Sequence, residues 1–267
     1  MNVIGIILTT IVIIGLIMTA IAIIKKPSSI YKNLPEEQNL LEGKLVVFVD
    51  DQEEPKNADG VRGHLEIKGR IIPAYSGVYE KYVKRALDVL LSFIGLLVIS
   101  PLLLVLITLI RFSDRGSAFF IQKRVGKNKQ FFKIHKLRTM KKTAPYDVPT
   151  HMMEDVEKYT TKIGRLVRKS SMDELPQLWD VFIGNMSLVG PRPALWNQDF
   201  LTAERDKYGA NDIKPGLTGW AQINGRDAIT ISEKAKLDGE YTKVLIKGGV
   251  KAFIFDVRCL LGTLFHR

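Results

Sequence analysis

Val89 to Ile110 reads VLLSFIGLLVISPLLLVLITLI, 22 residues without a charge and with Ser100-Pro101 at its centre. At about 1.5 Å per residue such a helix reaches roughly 33 Å, the thickness of a bilayer's hydrocarbon core. Proline lacks a backbone donor and crowds the carbonyl four residues back, so the helix is expected to kink or break there. Ser100 is placed to donate to a carbonyl so freed, which lipid cannot do. Lys81, Lys84 and Arg85 precede the run, and Arg111 and Arg115 follow it. A spanning helix carries one of these basic flanks to the outer face. A helix that enters, bends at Pro101 and leaves by the same face keeps both inside. The residues alone leave a kinked spanning helix as the alternative.

A second apolar run, Val3 to Ile24, is also 22 residues long and uncharged. It lacks a basic leader, and Lys25-Lys26 follow it directly, so it reads as a retained anchor rather than a cleaved signal. The double lysine puts its C-terminal end in the cytoplasm. The rival topology has the N-terminus inside and the acidic stretch 31–60 outside. Both leave residues 111–267 in the cytoplasm.

The net charge of +11 is unevenly spread. Arg111 to Lys142 holds eleven basic residues and one acidic residue, Asp114, while residues 31–60 hold eight acidic and three basic. A basic block beside an apolar run suits anionic lipid headgroups or a phosphorylated substrate. Nucleic acid is disfavoured, since no aromatic-basic interleaving or zinc-finger spacing is present. The single cysteine, Cys259, rules out a disulfide framework and a cysteine-rich metal site.

The chain divides into an anchor (1–26), a connector with short strands (27–80), a membrane helix pair (81–111) and a catalytic domain (112–267). In the connector, Gly43 to Asp50 and His64 to Ile72 read as strands. Phe119 to Met140 mixes aromatics and lysines in short strands. Helices are expected over Ile163–Lys169, from Ser171, over Leu195–Tyr208 and over Ile231–Tyr241. Gly190-Pro191-Arg192-Pro193 is a rigid loop, Lys214 to Gly225 is turn-rich, and Val250 to Leu264 is an apolar C-terminal segment.

The chemistry centres on Ser171-Met172-Asp173-Glu174. The spacing of Ser171 and Glu174 fits a capping box, which explains neither Asp173 nor the cations Arg165, Arg168 and Lys169 upstream. Two adjacent carboxylates can divide labour, one binding a metal ion and the other attacking phosphorus. Magnesium takes one or two carboxylates plus substrate phosphates and needs no larger protein cage. Lys136, Arg138, Arg168, Arg192 and Arg226 are candidate phosphate clamps, and Pro191 and Pro193 fix the backbone around Arg192. In Gly219 to Arg226, GWAQINGR, Gln222 and Asn224 offer polar contacts to a nucleotide or sugar. His135 and His151 have no partner at metal-ligand spacing, and P-loop, dinucleotide and nucleophile-elbow motifs are absent.

These blocks resemble the monotopic phosphoglycosyl transferases, bacterial sugar transferases that start capsule, exopolysaccharide and glycoprotein glycan assembly. The likeness runs from about Tyr82 to the C-terminus. It is carried by Lys84-Arg85, Asp88, Ser100-Pro101, the strand residues Phe120, Gln122 and Arg124, and Lys136-Leu-Arg138-Thr-Met140. It continues through RKSSMDELPQ (Arg168 to Gln177), Asn185-Met186-Ser187, VGPRP (Val189 to Pro193), KPGLTGWAQINGR (Lys214 to Arg226), Asp238 and Tyr241. Two departures stand out. Gly116-Ser117 replaces a frequent Gly-Pro, and Asp227 stands where many members have Asn. Residues 1–80 lie outside the likeness and match neither the short members nor the long, multi-span ones.

The resemblance implies an α+β membrane protein: an N-terminal membrane anchor helix, a re-entrant helix-break-helix at Ser100-Pro101, and a small, mostly helical cytoplasmic catalytic domain at the bacterial inner membrane. It implies that Asp173 attacks the sugar-bearing phosphate of a UDP-sugar, that UMP leaves, and that polyprenyl phosphate takes the phosphosugar from the aspartyl intermediate. Glu174 matches the Mg2+ ligand, with Asp173 beside it. Lys136, Arg138, Arg168, Arg192, Gln222, Arg226 and Asp238 are expected around the substrate. An N-acetylated or deoxyamino sugar is expected from the likeness to capsule-type enzymes. Membrane lipids are the other partners, and monomer or homodimer stays open. The competing reading is a non-catalytic basic scaffold of a polysaccharide assembly complex.

Overall fold

The computed structural model describes residues 41–70, 77–114, 116–145, 148, 152–153, 155–225 and 228–265. The expected anchor over Val3–Ile24 lies outside these residues. The connector strands form as expected: β1 (Lys44–Asp50) pairs antiparallel with β2 (Gly63–Arg70). Their hairpin lies on the helix Asp199–Asp206. There the Val46 amide donates to Asp206 Oδ2 at 2.9 Å, and Phe48 packs edge-on against Phe200. Asp59 accepts from the Leu201 amide at 3.0 Å.

A π turn, Tyr79–Lys84, leads into α1 (Arg85–Asp114). The expected break at Ser100-Pro101 is not found, and helical residues continue through Pro101. The cause is local. Pro101 deprives the Leu97 carbonyl of its partner, and the Ser100 hydroxyl donates to that carbonyl at 2.8 Å. The flank charges also need correcting. Lys84 is buried on Asp256 at 2.8 Å, and Arg85 donates to the Val181 and Phe182 carbonyls at 2.7 Å each. Of the three preceding cations only Lys81 is exposed, so Lys84 and Arg85 bind protein rather than headgroups.

Thirty residues at 1.5 Å make α1 about 45 Å long, yet both its halves pack on the same body. Near its start, Phe93 stacks on Phe182. Near its end, Leu106 and Ile110 are buried with Ala118, Leu137 and Val167. Its other face, with Val98 at 73% exposure and Leu104 at 66%, is apolar and uncovered.

Downstream, β3 (Phe119–Val125) and β4 (Phe131–Leu137) form an antiparallel hairpin. Its tight turn sets Asn128 and Lys129 at positive φ and buries the Lys129 ammonium on Asp206 at 2.9 Å. The short helices α2 (Val156–Tyr159) and α3 (Lys162–Lys169) precede a 3-10 turn, Met172–Glu174, and α4 (Gln177–Ile183). Strand β5 (Ser187–Val189) runs parallel to β6 (Gly216–Thr218), with α5 (Asp199–Asp206) between them in sequence. The segment read as turn-rich thus holds β6 and α6 (Trp220–Ile223). The chain ends in α7 (Ile231–Lys247) and α8 (Gly249–Phe265). Val189, Tyr241, Leu245, Ala252 and Cys259 form a core where these two helices meet β5.

The hairpin's seat on α5 carries a pH dependence. Burial, with the charge of Asp59 added, raises the Asp199 carboxyl to about 6. The fold therefore favours the protonated side chain, and that contribution is full below about pH 4 and lost as pH rises through about 6. Asp199→Asn keeps a neutral side chain at every pH. It is expected to match wild type below pH 4 and to exceed it by about 1 kcal/mol above pH 6, after allowance for solvent screening. Thermal melts in detergent across this range check it, and a difference that does not vary with pH refutes it.

Candidate active site

Ser171 turns the chain at φ 56° between α3 and the 3-10 turn, and its side chain makes no capping bond. The capping box expected of Ser171 and Glu174 is therefore not formed. Among the described helices a capping box forms from Thr230 and Glu233, at the start of α7. Glu174 points at cations. It accepts from Lys136 Nζ at 2.9 Å and from Arg192 Nη1 at 3.3 Å, with a second, closer contact from Arg192 Nη2. Burial alone would raise its carboxyl. The charges and hydrogen bonds of Arg192 and Lys136 overcome that and hold it well below the ordinary carboxylate range. Asp173 behaves oppositely. Burial raises it, the Glu174 charge adds to the rise, and Lys136 and Arg168 oppose it. Lys136 is lowered by burial and by Arg192 and Arg124, against the pull of Glu174.

Two cavities of about 260 Å³ each meet at this turn. The first is basic. Arg124, Lys136, Arg138, Lys141, Lys142 and Arg168 line it, and Asp173 is its one carboxylate among the described residues. The second is mostly apolar, lined by Leu175, Leu188, Leu217 and Leu260 among others, with Glu174, Arg192 and Gln222 as its polar part. The fold thus brings Lys136, Arg138 and Arg168 together with Asp173, and Arg192 and Gln222 together with Glu174. Asp238 lines neither cavity. It is buried on α7 and paired with Arg205 at 2.7 Å. Arg226 lies outside the described residues, as does His151. His135 pairs with Asp180 at 2.8 Å, a contact that its sequence spacing did not reveal.

Reading the sequence passed over Arg124, Lys141 and Lys142 as cavity residues. A signal was available for the first. Phe120, Gln122 and Arg124 alternate along β3, so strand geometry sets them on one face, and all three line the basic cavity. Arg124 also donates to the Pro193 carbonyl at 3.0 Å, beside Arg192.

The loop that carries Arg192 is packed too closely for side chains. The Gly190 amide donates to the Thr218 carbonyl, and the Gly216 amide to the Pro191 carbonyl, each at 2.8 Å. A Cβ on Gly219 would lie 2.1 Å from the Gly190 carbonyl oxygen.

A carboxylate pair set between a basic and an apolar cavity has the make-up of a group-transfer enzyme's site, and the one described helix long and apolar enough to cross a membrane lies beside it. The sequence profile of the bacterial sugar transferase family matches residues 79–266. The chain belongs to that family, and is an enzyme of phosphoglycosyl transfer. It is 42% identical over 160 residues to the uncharacterized sugar transferase EpsL of Bacillus subtilis (strain 168), covering 60% of this chain and 77% of that one. It is 34% identical over 202 residues to the UDP-glucose:undecaprenyl-phosphate glucose-1-phosphate transferase of Escherichia coli (strain K12), covering 73% of this chain and 43% of the relative. A third relative, the UDP-N-acetylgalactosamine-undecaprenyl-phosphate N-acetylgalactosaminephosphotransferase of Aeromonas hydrophila, is 34% identical over 181 residues, or 67% and 42% of the two chains.

The buried Arg205–Asp238 pair makes Asp238 a packing residue in this geometry. Breaking such a pair from one side costs about 3–5 kcal/mol. Asp238→Ala is therefore expected to lower the melting temperature by about 10 °C. Lost turnover at an unchanged melting temperature would assign Asp238 to the substrate instead.

Proposed function

We propose that this chain transfers a phosphosugar from a UDP-sugar to polyprenyl (undecaprenyl) phosphate at the cytoplasmic face of the bacterial inner membrane. This is the first membrane step of polysaccharide or glycoconjugate synthesis. One observation carries the reading: adjacent Asp173 and Glu174 face different cavities, and among the described residues Asp173 is the one carboxylate beside the six cations of the basic one.

In this reading the donor's diphosphate lies among Lys136, Arg138 and Arg168. Their charge offsets the repulsion between an anionic nucleophile and an anionic phosphate. A carboxylate oxygen of Asp173 attacks the sugar-bearing phosphorus, the bond to the leaving phosphate breaks, and UMP departs with the electron pair. Burial raises Asp173, and the charges of Lys136 and Arg168 oppose that rise and favour the ionised form that attacks. An oxygen of polyprenyl phosphate then attacks the same phosphorus and releases the Asp173 carboxylate, giving polyprenyl-diphosphate-sugar. Splitting one displacement into two predicts ping-pong kinetics.

Glu174 suits a magnesium ligand, because its neighbours keep it ionised and its oxygens are hard donors. Lys136 and Arg192 hold those oxygens here, so one must give way. Magnesium bound by Glu174, with Asp173 adjacent, would neutralise charge on the donor's phosphates.

In this reading α1 bends at Pro101 without losing helical residues and re-enters the same face, so that both its halves pack on one body. The relatives' names give different sugars, glucose and N-acetylgalactosamine, so the donor is open to test. The experiment is a panel of UDP-sugars with polyprenyl phosphate, read by nucleotide release. UMP is expected, abolished by chelation and restored by magnesium. Asp173→Asn is expected to lower its release by about a thousandfold or more. Release of UDP would reject phosphosugar transfer.

A further inference from the structure

We infer that the apolar cavity on the Glu174 side admits the lipid acceptor, its phosphate at Arg192 and Gln222 and its first prenyl units among the leucines, while the donor keeps to the basic cavity. This rests on the proposed transfer and divides its two half-reactions between two entrances.

The lining is amphiphilic in the required sense. Arg192 and Gln222 stand at one part of it, and Leu175, Leu217, Leu260 and Leu264 at another. The amide of Gln222 is buried at both its nitrogen and its oxygen, and neither has a hydrogen-bond partner among the described residues. An unmet donor and acceptor in an apolar lining is costly unless a ligand meets them. A phosphate oxygen accepts from Nε2, and a protonated phosphate oxygen or water donates to Oε1.

The cavity also has a path to lipid. Leu260 and Leu264 stand on α8, on which Val250, Ile254, Leu261 and Phe265 are exposed along one apolar stripe with Lys251 and Arg258 exposed beside it. A wall of the cavity and this exposed stripe thus belong to one helix, so a chain lying along α8 at a membrane surface reaches Glu174 without crossing water. The basic cavity offers the donor's diphosphate the cations of β3, β4, the segment after β4 and α3, beside apolar side chains such as Phe120, Leu137 and Val148. At about 260 Å³ the apolar cavity is smaller than ordinary ligand pockets of about 300–1,000 Å³. It therefore holds a phosphate and the first prenyl units, with the rest of the chain in lipid.

The test separates the half-reactions in the full-length protein held in nanodiscs. With donor alone, wild type is expected to release one UMP per site. Absence of that burst would defeat the transfer reading itself rather than this inference. Leu264→Trp narrows the cavity from α8, and Leu217→Phe narrows it from β6. Each is expected to keep the single-turnover UMP burst while raising the KM for polyprenyl phosphate by about tenfold or more. Unchanged KM in both variants overturns the inference. So does a fall in the burst that matches the fall in lipid-dependent turnover in both, which would give the cavity to the donor. Two variants on different elements are used so that a folding failure in one variant does not decide the outcome.

Discussion

The site depends on one carboxylate surrounded by cations. Glu174 is tied to Lys136 on β4 and to Arg192 on the loop after β5, so three separate pieces of chain meet at it. Without it, Lys136, Arg192, Arg124 and Arg168 would face one another around desolvated space. The repulsion is already visible, because Arg192 and Arg124 both act to lower Lys136. A buried ion pair is weak support for stability, since desolvation offsets much of its attraction. Here it serves arrangement instead. It holds a surplus of positive charge in place, and an arriving diphosphate relieves that surplus.

Everything behind Arg192 is rigid. Gly190, Gly216 and Gly219 let two backbones approach closer than any Cβ allows. The Tyr241 hydroxyl lies 3.1 Å from the Val189 carbonyl and 2.8 Å from Asp256, which also accepts from Tyr79 and Lys84. Asp88 on α1 accepts from the Leu188 amide at 2.9 Å. The strand leading to the arginine loop is thus bonded to the start of α1 and to α8. Burying so many polar groups is tolerable only because each finds a partner.

Much of this was legible in sequence because it is local. The uncharged run with Ser100-Pro101, the strands β1 and β3, the helices α3 and α7, and the carboxylate pair all follow from periodicity, turn residues or adjacency. The long-range pairings were not legible. Asp238 attracts notice as a charge in a helix, but its partner Arg205 is 33 residues away. Lys84 and Arg85 resemble a membrane flank until their partners Asp256 and the α4 carbonyls appear. Ser171 and Glu174 have capping-box spacing, yet two cations from other elements outbid a backbone amide for the glutamate. The fate of Pro101 was half legible. Its missing donor was foreseen, and so was Ser100 as the substitute, but the substitute keeps the helix continuous.

The reach from lipid to reacting group is very short. Met172 packs against the cluster that Leu106 and Ile110 of α1 form with Leu137 and Val167. Asp173 is the next residue, and its cavity is lined by Leu137 as well. The second half of α1 therefore sets the position of the carboxylate through a single side chain, with no hinge between them. Well-packed interiors transmit displacement instead of absorbing it. If α1 seats the protein in a membrane, as proposed, the same helix also fixes the height of Asp173 above it, where the proposed water-soluble donor and lipid phosphate both arrive.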